Sequence, residues 1–417
     1  MTMRKVHIIG AGLAGLAAAL RLAPQGYDIT IHEAAPQAGG RCRSYFDTTL
    51  GMVIDNGNHL LLSGNHAAQS FLREVGTEKE LVGPDKAEFN FIDFATDERW
   101  TLRPNDGPIP WWMFLKSRRV PGTTVAEYLR PLALLKAFKG TRLDAAMACE
   151  GPLYKRLWQP FFLAALNTAP EEGEATLAAT LLRETLMKGG RACRPLIAAR
   201  GLSTAFIEPA LAKLAAQKVA VQFKHRLASI GFSAGRITEL AFDDGIIAVG
   251  PDDLVILAVP APVAAILIPN LTVPQSFRAI VNAHFKLTPP PYVQAMTGII
   301  NGLSEWVFAF SDRISVTISG ADRLLDVPRE ELAAQIWQDV ARVTQIAEPL
   351  PPWQIIREKR ATFAATPEEE ARRPQTRTAV ANLFLAGDWT ATGLPATIEG
   401  AIRSGFRAAD EALLRKA

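Results

Sequence analysis

An α/β fold is predicted for this chain, with a parallel sheet gathered from distant segments and a second, α+β unit beside it. Three observations predict it. The N-terminus runs through a short apolar stretch, a glycine-rich turn, an Ala/Leu-rich helical stretch and a second apolar stretch. A continuous apolar run at 254–259 has the character of a strand buried on both faces. A third apolar run, at 383–385, leads into a helical pattern near the C-terminus.

The elements follow in order. Val6, Ile8 and Ile9 form the first strand and lead into Gly10-Ala11-Gly12-Leu13-Ala14-Gly15. After the helix, Ile29, Thr30 and Ile31 form the second strand, which ends at Glu33. Gly10 permits the tight turn, Gly12 lets the backbone approach a pyrophosphate, and Gly15 brings helix and strand together. Glu33, roughly 20 residues beyond the first glycine, is placed to accept hydrogen bonds from ribose hydroxyls. The helix N-terminus offers unpaired N–H groups and a positive dipole end to phosphates. This is a Rossmann-like dinucleotide signature; a tight βα turn without a ligand is the alternative. Further on, a helix is predicted at 201–215 and a strand at 219–223. Alternating strands at 226–230 and 237–242 turn at Gly235, and a buried strand runs over 254–260. At the C-terminus, Leu383-Phe384-Leu385-Ala386-Gly387-Asp388 reads as a strand ending in a small residue and a carboxylate. Thr392-Gly393-Leu394-Pro395-Ala396-Thr397 then opens a helix, with proline suited to its first turn. Ile398, Ile402, Gly405, Ala409 and Leu413 share one face of that helix.

Residues 1–74, 201–270 and 379–417 are therefore expected to build the nucleotide-binding domain. Residues 75–200, mainly helical, and 271–378 are expected to form the second domain. The latter contains strand-like runs at 292–300, 306–310 and 314–318 and a helix over 329–344. No second GxGxxG occurs, so no separate domain for a nicotinamide cofactor is expected.

Composition sets the remaining bounds. With 417 residues, 48% hydrophobic and 21% charged, the chain has the make-up of a folded protein large enough for two domains. A formal charge of +3, with dispersed basic residues, argues against a nucleic-acid partner. No metal-ligand spacing is present. The three cysteines, Cys42, Cys149 and Cys193, form no CxxC and are expected to be free thiols in a reducing compartment. The apolar run after Met1 to Lys5 superficially suggests a signal peptide, yet it is the strand of the glycine motif. No stretch reaches the ~18–20 apolar residues of a membrane span.

The N-terminal motif, the C-terminal Gly387-Asp388 with its helix, and Gly39-Gly40-Arg41 together resemble the flavin amine oxidase and phytoene desaturase superfamily. The resemblance implies noncovalent FAD, since no cysteine lies in the C-terminal flavin segment. It also implies contacts from Leu13, Ala14, Ala34, Asn56, Gly57, Pro395, Ala396 and Thr397, and a backbone contact to adenine at Leu227. The C-terminal helix would direct its positive end at the flavin ring.

Ile54-Asp55-Asn56-Gly57-Asn58-His59-Leu60-Leu61-Leu62-Ser63-Gly64 is similar to the signature of the squalene-associated FAD enzymes of hopanoid biosynthesis, the hydroxysqualene dehydroxylases. Stretches at 157–160, 164–168 and 305–308 agree with that family. Asn58 stands where the family has glutamine, and 191–200 follows its pattern loosely. The resemblance implies reductive conversion of hydroxysqualene to squalene with an electron donor outside this chain. Such chemistry needs a dry, long apolar pocket, and cation-like carbon is favoured over aromatic faces. Phe89, Phe91, Phe94, Trp158, Phe161, Phe162, Trp306, Phe308 and Phe310 are candidate walls, although each alone is more readily an ordinary core residue. His59 is the candidate proton donor, its tautomer set by Asp55, Asn56 or Asn58; a histidine bonded to backbone beside the flavin is the alternative. Asn58 and Lys286 are the other candidate catalytic residues, Lys286 because amine oxidases of the superfamily place a lysine near the flavin. Trp111 and Trp112, beside Lys116, Arg118 and Arg119, read either as a peripheral anchor on the cytoplasmic face of the inner membrane or as a tunnel wall.

Overall fold

The computed structural model describes residues 4–414. Residues 1–3 and 415–417, the two ends of the expected nucleotide-binding domain and of the signal-like stretch, lie outside the described residues.

Five parallel strands form the first sheet, in the order Ala220–Gln222, Asp28–His32, Lys5–Ile9, Leu254–Leu257, Leu383–Leu385. Ile8 pairs with Ile31 on one side and Ile256 on the other, and Ile256 pairs with Phe384. Successive side chains on these strands alternate between two cores. Val6, Ile8, Ile256 and Phe384 pack against the helices Leu13–Leu22 and Ile398–Leu414. Ile9, Val255, Leu257 and Leu385 pack on the side of the antiparallel ribbon Leu227–Ser233, Arg236–Phe242, Gly245–Ala248. First and last helices meet closely: a Cβ at Gly405 would lie 2.1 Å from the Ala14 carbonyl oxygen.

The second unit is a seven-stranded sheet in the order Trp353–Phe363, Phe277–Lys286, Arg313–Ile318, Trp306–Ala309, Met296–Ile300, Phe89–Asp93, Glu98–Leu102. One face carries Val281, Ala283, Phe285, Val307, Ile314 and Val316 onto the helix Arg329–Thr344. The other face carries Asn282, His284, Trp306, Phe308, Ser315 and Thr317, because cross-strand partners share a face. That second face looks toward the segment 55–59.

Segment 75–200 carries a strand pair among its helices, and one expectation, the start of the last helix, needs correction. Phe89–Asp93 and Glu98–Leu102 form a hairpin whose first strand pairs in parallel with Met296–Ile300. The partner that stabilises this hairpin lies some two hundred residues away, so no local pattern announces it. The last helix starts at Ile398, not at Pro395. The Thr397 hydroxyl accepts the Gly400 N–H at 3.0 Å, which makes threonine the cap and leaves Pro395 outside.

Candidate active site

The glycine turn is built by close approach at two positions and by open space at a third. Gly10 has φ +106°, and a Cβ there would lie 2.6 Å from the Ala258 carbonyl oxygen. A Cβ on Gly15 would lie 2.0 Å from the Gly10 carbonyl oxygen. Gly12 has nothing within 4 Å of its Cβ position. It precedes the helix in extended conformation, and no side chain caps the helix N–H groups. Leu13 and Ala14 open that helix. The carboxylate of Glu33 accepts the Ala11 N–H at 2.7 Å and the Ala35 N–H at 2.8 Å, which fixes it beside the turn next to Ala34. Leu227 lies near the same end of the sheet, since the His225 N–H donates to the Glu33 carbonyl at 2.9 Å.

Gly39 joins this turn through its N–H, 2.9 Å from the Ala11 carbonyl, and Gly40 (φ +57°) faces the Cα of Gly12. Arg41 then reaches across the molecule. Its guanidinium donates to the Ala361 carbonyl and to Asp388 Oδ1, both at 2.6 Å. Burial works against its charge, but the Asp388 carboxylate more than offsets that and its pKa is raised. Even so, 42% of the Arg41 side chain is accessible. Asp388 is held from behind by the buried Arg373. This side chain donates to the Asp388 carbonyl at 3.0 Å and to the Thr392 hydroxyl at 2.8 Å, and pairs with Glu370. The Gly387 N–H donates to Ser404 Oγ at 2.8 Å. Pro395, Ala396 and Thr397 follow as the turn into the last helix. Trp389 is buried and donates to the Val259 carbonyl at 2.8 Å, so its ring is not free to form one side of an aromatic cage.

The segment 55–59 closes the site against the seven-stranded sheet. Asp55 ends the strand Met52–Asp55 and accepts the Ser44 hydroxyl at 2.6 Å and the Leu202 N–H at 2.8 Å. The Asn56 amide donates to Glu358 at 3.3 Å. A Cβ on Gly57 would meet the Asn282 amide nitrogen at 3.1 Å. The Asn58 amide donates to Thr317 Oγ1 at 3.2 Å, and its N–H to Asn282 Oδ1 at 3.3 Å. Thus none of the three neighbours expected to set the His59 tautomer does so. Burial and then Arg41 lower the His59 pKa to about 4, so the imidazole is neutral at pH 7.

Lys286 is also corrected. Its ammonium donates to the Leu50 carbonyl at 2.8 Å, four residues beyond Asn282 on one strand and so roughly 13 Å along it. Among the aromatics, Phe308 and Phe310 line a cavity with His59, whereas Phe94 turns away under Arg342. Trp158 and Phe162 stack on each other in the core.

A dinucleotide fits this arrangement: uncapped helix N–H groups beside open space at Gly12, an anchored acid at Glu33, and the Arg41–Asp388 pair that joins the glycine turn to the C-terminal segment. The flavin containing amine oxidoreductase family model matches residues 13–413. The hydroxysqualene dehydroxylase of Rhodopseudomonas palustris is 55% identical over 98% of both chains. The chain belongs to the hydroxysqualene dehydroxylase family. That of Sinorhizobium fredii is 52% identical over 98% of both. Among solved structures, cyclohexylamine oxidase from Brevibacterium oxydans superposes with a TM-score of 0.72 at 15% identity, covering 99% of each chain, which speaks to the fold alone. The cofactor is FAD.

Sequence reasoning missed Asn282, Thr317, Glu358 and Arg373. Asn282 and Thr317 interrupt apolar strands with polar side chains on the cavity face, the one local signal available. Burial raises the pKa of the Cys42 thiol and pushes that of Cys193 up to about 12, so neither is a thiolate at neutral pH.

Proposed function

We propose that this chain removes the hydroxyl of hydroxysqualene reductively, giving squalene, with noncovalently bound FAD. The observation that carries the reading is near-full-length identity to hydroxysqualene dehydroxylases, joined to a cavity in which His59, Asn58 and Asp55 face phenylalanines. Gly12 and the uncapped helix would hold the pyrophosphate, Glu33 the ribose, and Arg41 and Asp388 the region toward the ring. Reduced FAD supplies a hydride to the allylic carbon. The protein excludes water with Trp306 and Phe308 on the cavity face of the sheet, whose Asn282, His284, Ser315 and Thr317 are bonded to one another or to the segment 55–58. Residues 1–74, 201–270 and 379–417 serve the cofactor, and 75–200 with 271–378 serve the isoprenoid. An electron donor outside this chain restores the reduced state. An amine oxidase would need an aromatic cage, and Trp389 is committed elsewhere.

The test is anaerobic incubation of chemically reduced enzyme with hydroxysqualene, followed by lipid analysis. Squalene should form in step with flavin reoxidation; reoxidation without squalene refutes the reading. Acid precipitation should release all the flavin.

The enzyme meets its lipid substrate at a bilayer surface. Among the described residues no helix is long and apolar enough to cross a membrane. Trp111 (47%) and Phe114 (66%) are exposed next to Lys116, Arg118 and Arg119 in the chain, Phe138 (82%) is a further exposed aromatic, and Arg118 lies over the Trp111 ring at 4.9 Å. Trp112, expected to share this surface, is buried edge-on against Tyr128. Basic side chains around exposed aromatics suit an anionic headgroup layer. Replacing Trp111, Phe114 and Phe138 by serine should abolish co-sedimentation with anionic liposomes. Unchanged sedimentation of the folded, FAD-loaded variant at every salt concentration would refute the anchor.

A further inference from the structure

One small cavity sits between the segment 55–59 and the seven-stranded sheet. Its volume of ≈ 10 Å³, as traced by a water-sized sphere, is about one water. Asp55, Asn58 and His59 line one side, and Phe308, Phe310 and Leu202 line the other. Three features mark it as more than a packing defect. Asn58 Oδ1 is enclosed and has no partner among the described residues, which leaves an acceptor aimed at no protein donor. The Asp55 carboxyl spends Oδ1 on both Ser44 and Leu202. Oδ2 has only the guanidinium of Arg313, 3.7 Å away and beyond hydrogen-bond reach. Arg313 is itself held over the Phe310 ring at 4.0 Å and paired with Asp312, which fixes the aromatic wall and the carboxyl relative to each other.

We propose that this cavity is the hydroxyl subsite, and that Asp55 is the acid whose proton leaves with the substrate's oxygen. The inference rests on the dehydroxylation reading above. The hydroxyl of the allylic alcohol takes the place of one water and donates to Asn58 Oδ1. The O–H bond of the protonated carboxyl breaks and its proton passes to the alcohol oxygen. The C–O bond then breaks with both electrons staying on oxygen, and water is released. Asp55 is left as carboxylate, to be reprotonated from solvent, and the carbon is left electron-poor beside Phe308 and Phe310, whose ring faces favour positive charge.

Charges around the site agree with this assignment. Burial raises the Asp55 pKa against the opposing hydrogen bonds of Ser44 and Leu202 and the charge of Arg313. His59 is neutral at pH 7 through burial and Arg41. His284, which contacts the Asp55 carbonyl at 3.1 Å and Ser315 at 2.8 Å, is lowered to about 3 by burial and Arg313, and the Cys42 thiol is un-ionised. Asp55 is therefore the carboxyl at this cavity whose hold on a proton burial strengthens above the ordinary carboxylate value.

The experiment uses FAD-loaded enzyme. In Asp55→Asn, single-turnover squalene formation should fall by ~10²–10⁴. The parent rate should decline as pH rises through the Asp55 ionisation, and that limb should vanish in the variant. In a second arm, flavin absorbance reports binding of hydroxysqualene or squalene to oxidised enzyme. The parent should bind the alcohol at least tenfold more tightly, and Asn58→Leu, which lies outside the Ser44–Leu202 contacts, should bind both alike. A parental rate and pH limb in Asp55→Asn overturn the acid. If that variant loses FAD, retained alcohol preference in Asn58→Leu overturns the subsite. A parent enzyme that makes no squalene sinks the dehydroxylation reading, and this proposal with it.

Discussion

Gly12 and Gly15 sit three residues apart in one turn, and the geometry assigns them opposite failures. At Gly12 the Cβ direction is empty to 4 Å and φ is −75°, so valine can be built without a clash. The apoprotein should lose only the N-cap preference of glycine over valine, about 1 kcal/mol at most, and its melting point should fall by about 2 °C. The same isopropyl group fills the space where a pyrophosphate meets the helix N–H groups. Two hydrogen bonds to a charged acceptor are worth ~1.5–3 kcal/mol each. A loss of ~3 kcal/mol weakens FAD binding more than a hundredfold. Gly15→Ala should behave the other way. Its methyl group would sit 2.0 Å from the Gly10 carbonyl oxygen and 3.4 Å from Ala258 Cβ, so helix and strand must part. Overpacking of this kind costs ~3 kcal/mol, and it is paid by the apoprotein. The assay is thermal melting of deflavinated protein beside fluorescence titration with FAD. A Gly12→Val apoprotein that melts as low as Gly15→Ala, or one that binds FAD like the parent, would refute the assignment.

Arg373→Met leaves the buried Glu370 without its partner and should destabilise the fold by ~3–5 kcal/mol, read as a lowered melting point that a simultaneous Glu370→Leu change largely restores. Burial raises the pKa of Glu305 to about 7 from 4.5. The folded state therefore holds that proton more tightly, and stability present below pH 4.5 is lost as pH rises toward 7. Glu305→Gln should flatten this part of the melting-point profile, and an unchanged slope would count against it. Because His59 titrates near pH 4, His59→Gln should leave the pH dependence of single turnover between pH 5 and 8 as in the parent; loss of a limb in that range would refute its neutrality.

What the sequence disclosed was local. The turn at Gly10, Gly12 and Gly15 and the helix Arg329–Thr344 depend on neighbours within a few residues, and both are where periodicity and glycine spacing place them. The C-terminal strand and Asp388 were legible for the same reason. Helix start at Ile398, capped by Thr397, rather than at Pro395 turned on one hydroxyl bond that two adjacent signals made ambiguous. Trp111 and Trp112 are chemically identical neighbours, and tertiary contacts such as that with Tyr128 decide which is buried. Asn282 and Thr317 face one another, and the cavity, through strand register, which is a property of pairing and not of either strand alone. Lys286 fell on the same strand, but at its far end.

The order of the five-stranded sheet also has a consequence for biosynthesis. Lys5–Ile9 leaves the ribosome well before its neighbour Leu254–Leu257, and its helix is covered by residues of the last helix, Ile398–Leu414. At about 5–20 residues per second, translation of the whole chain takes roughly 20–80 s. Throughout that interval the apolar faces of the first βα unit have no lasting cover, and the nucleotide cradle is incomplete. The Asp388 partner of Arg41 is in place only once the C-terminal segment has been made. Recovery of holoenzyme in a foreign host should depend on how well the nascent N-terminus is shielded from other chains, more than on how much flavin is supplied during synthesis.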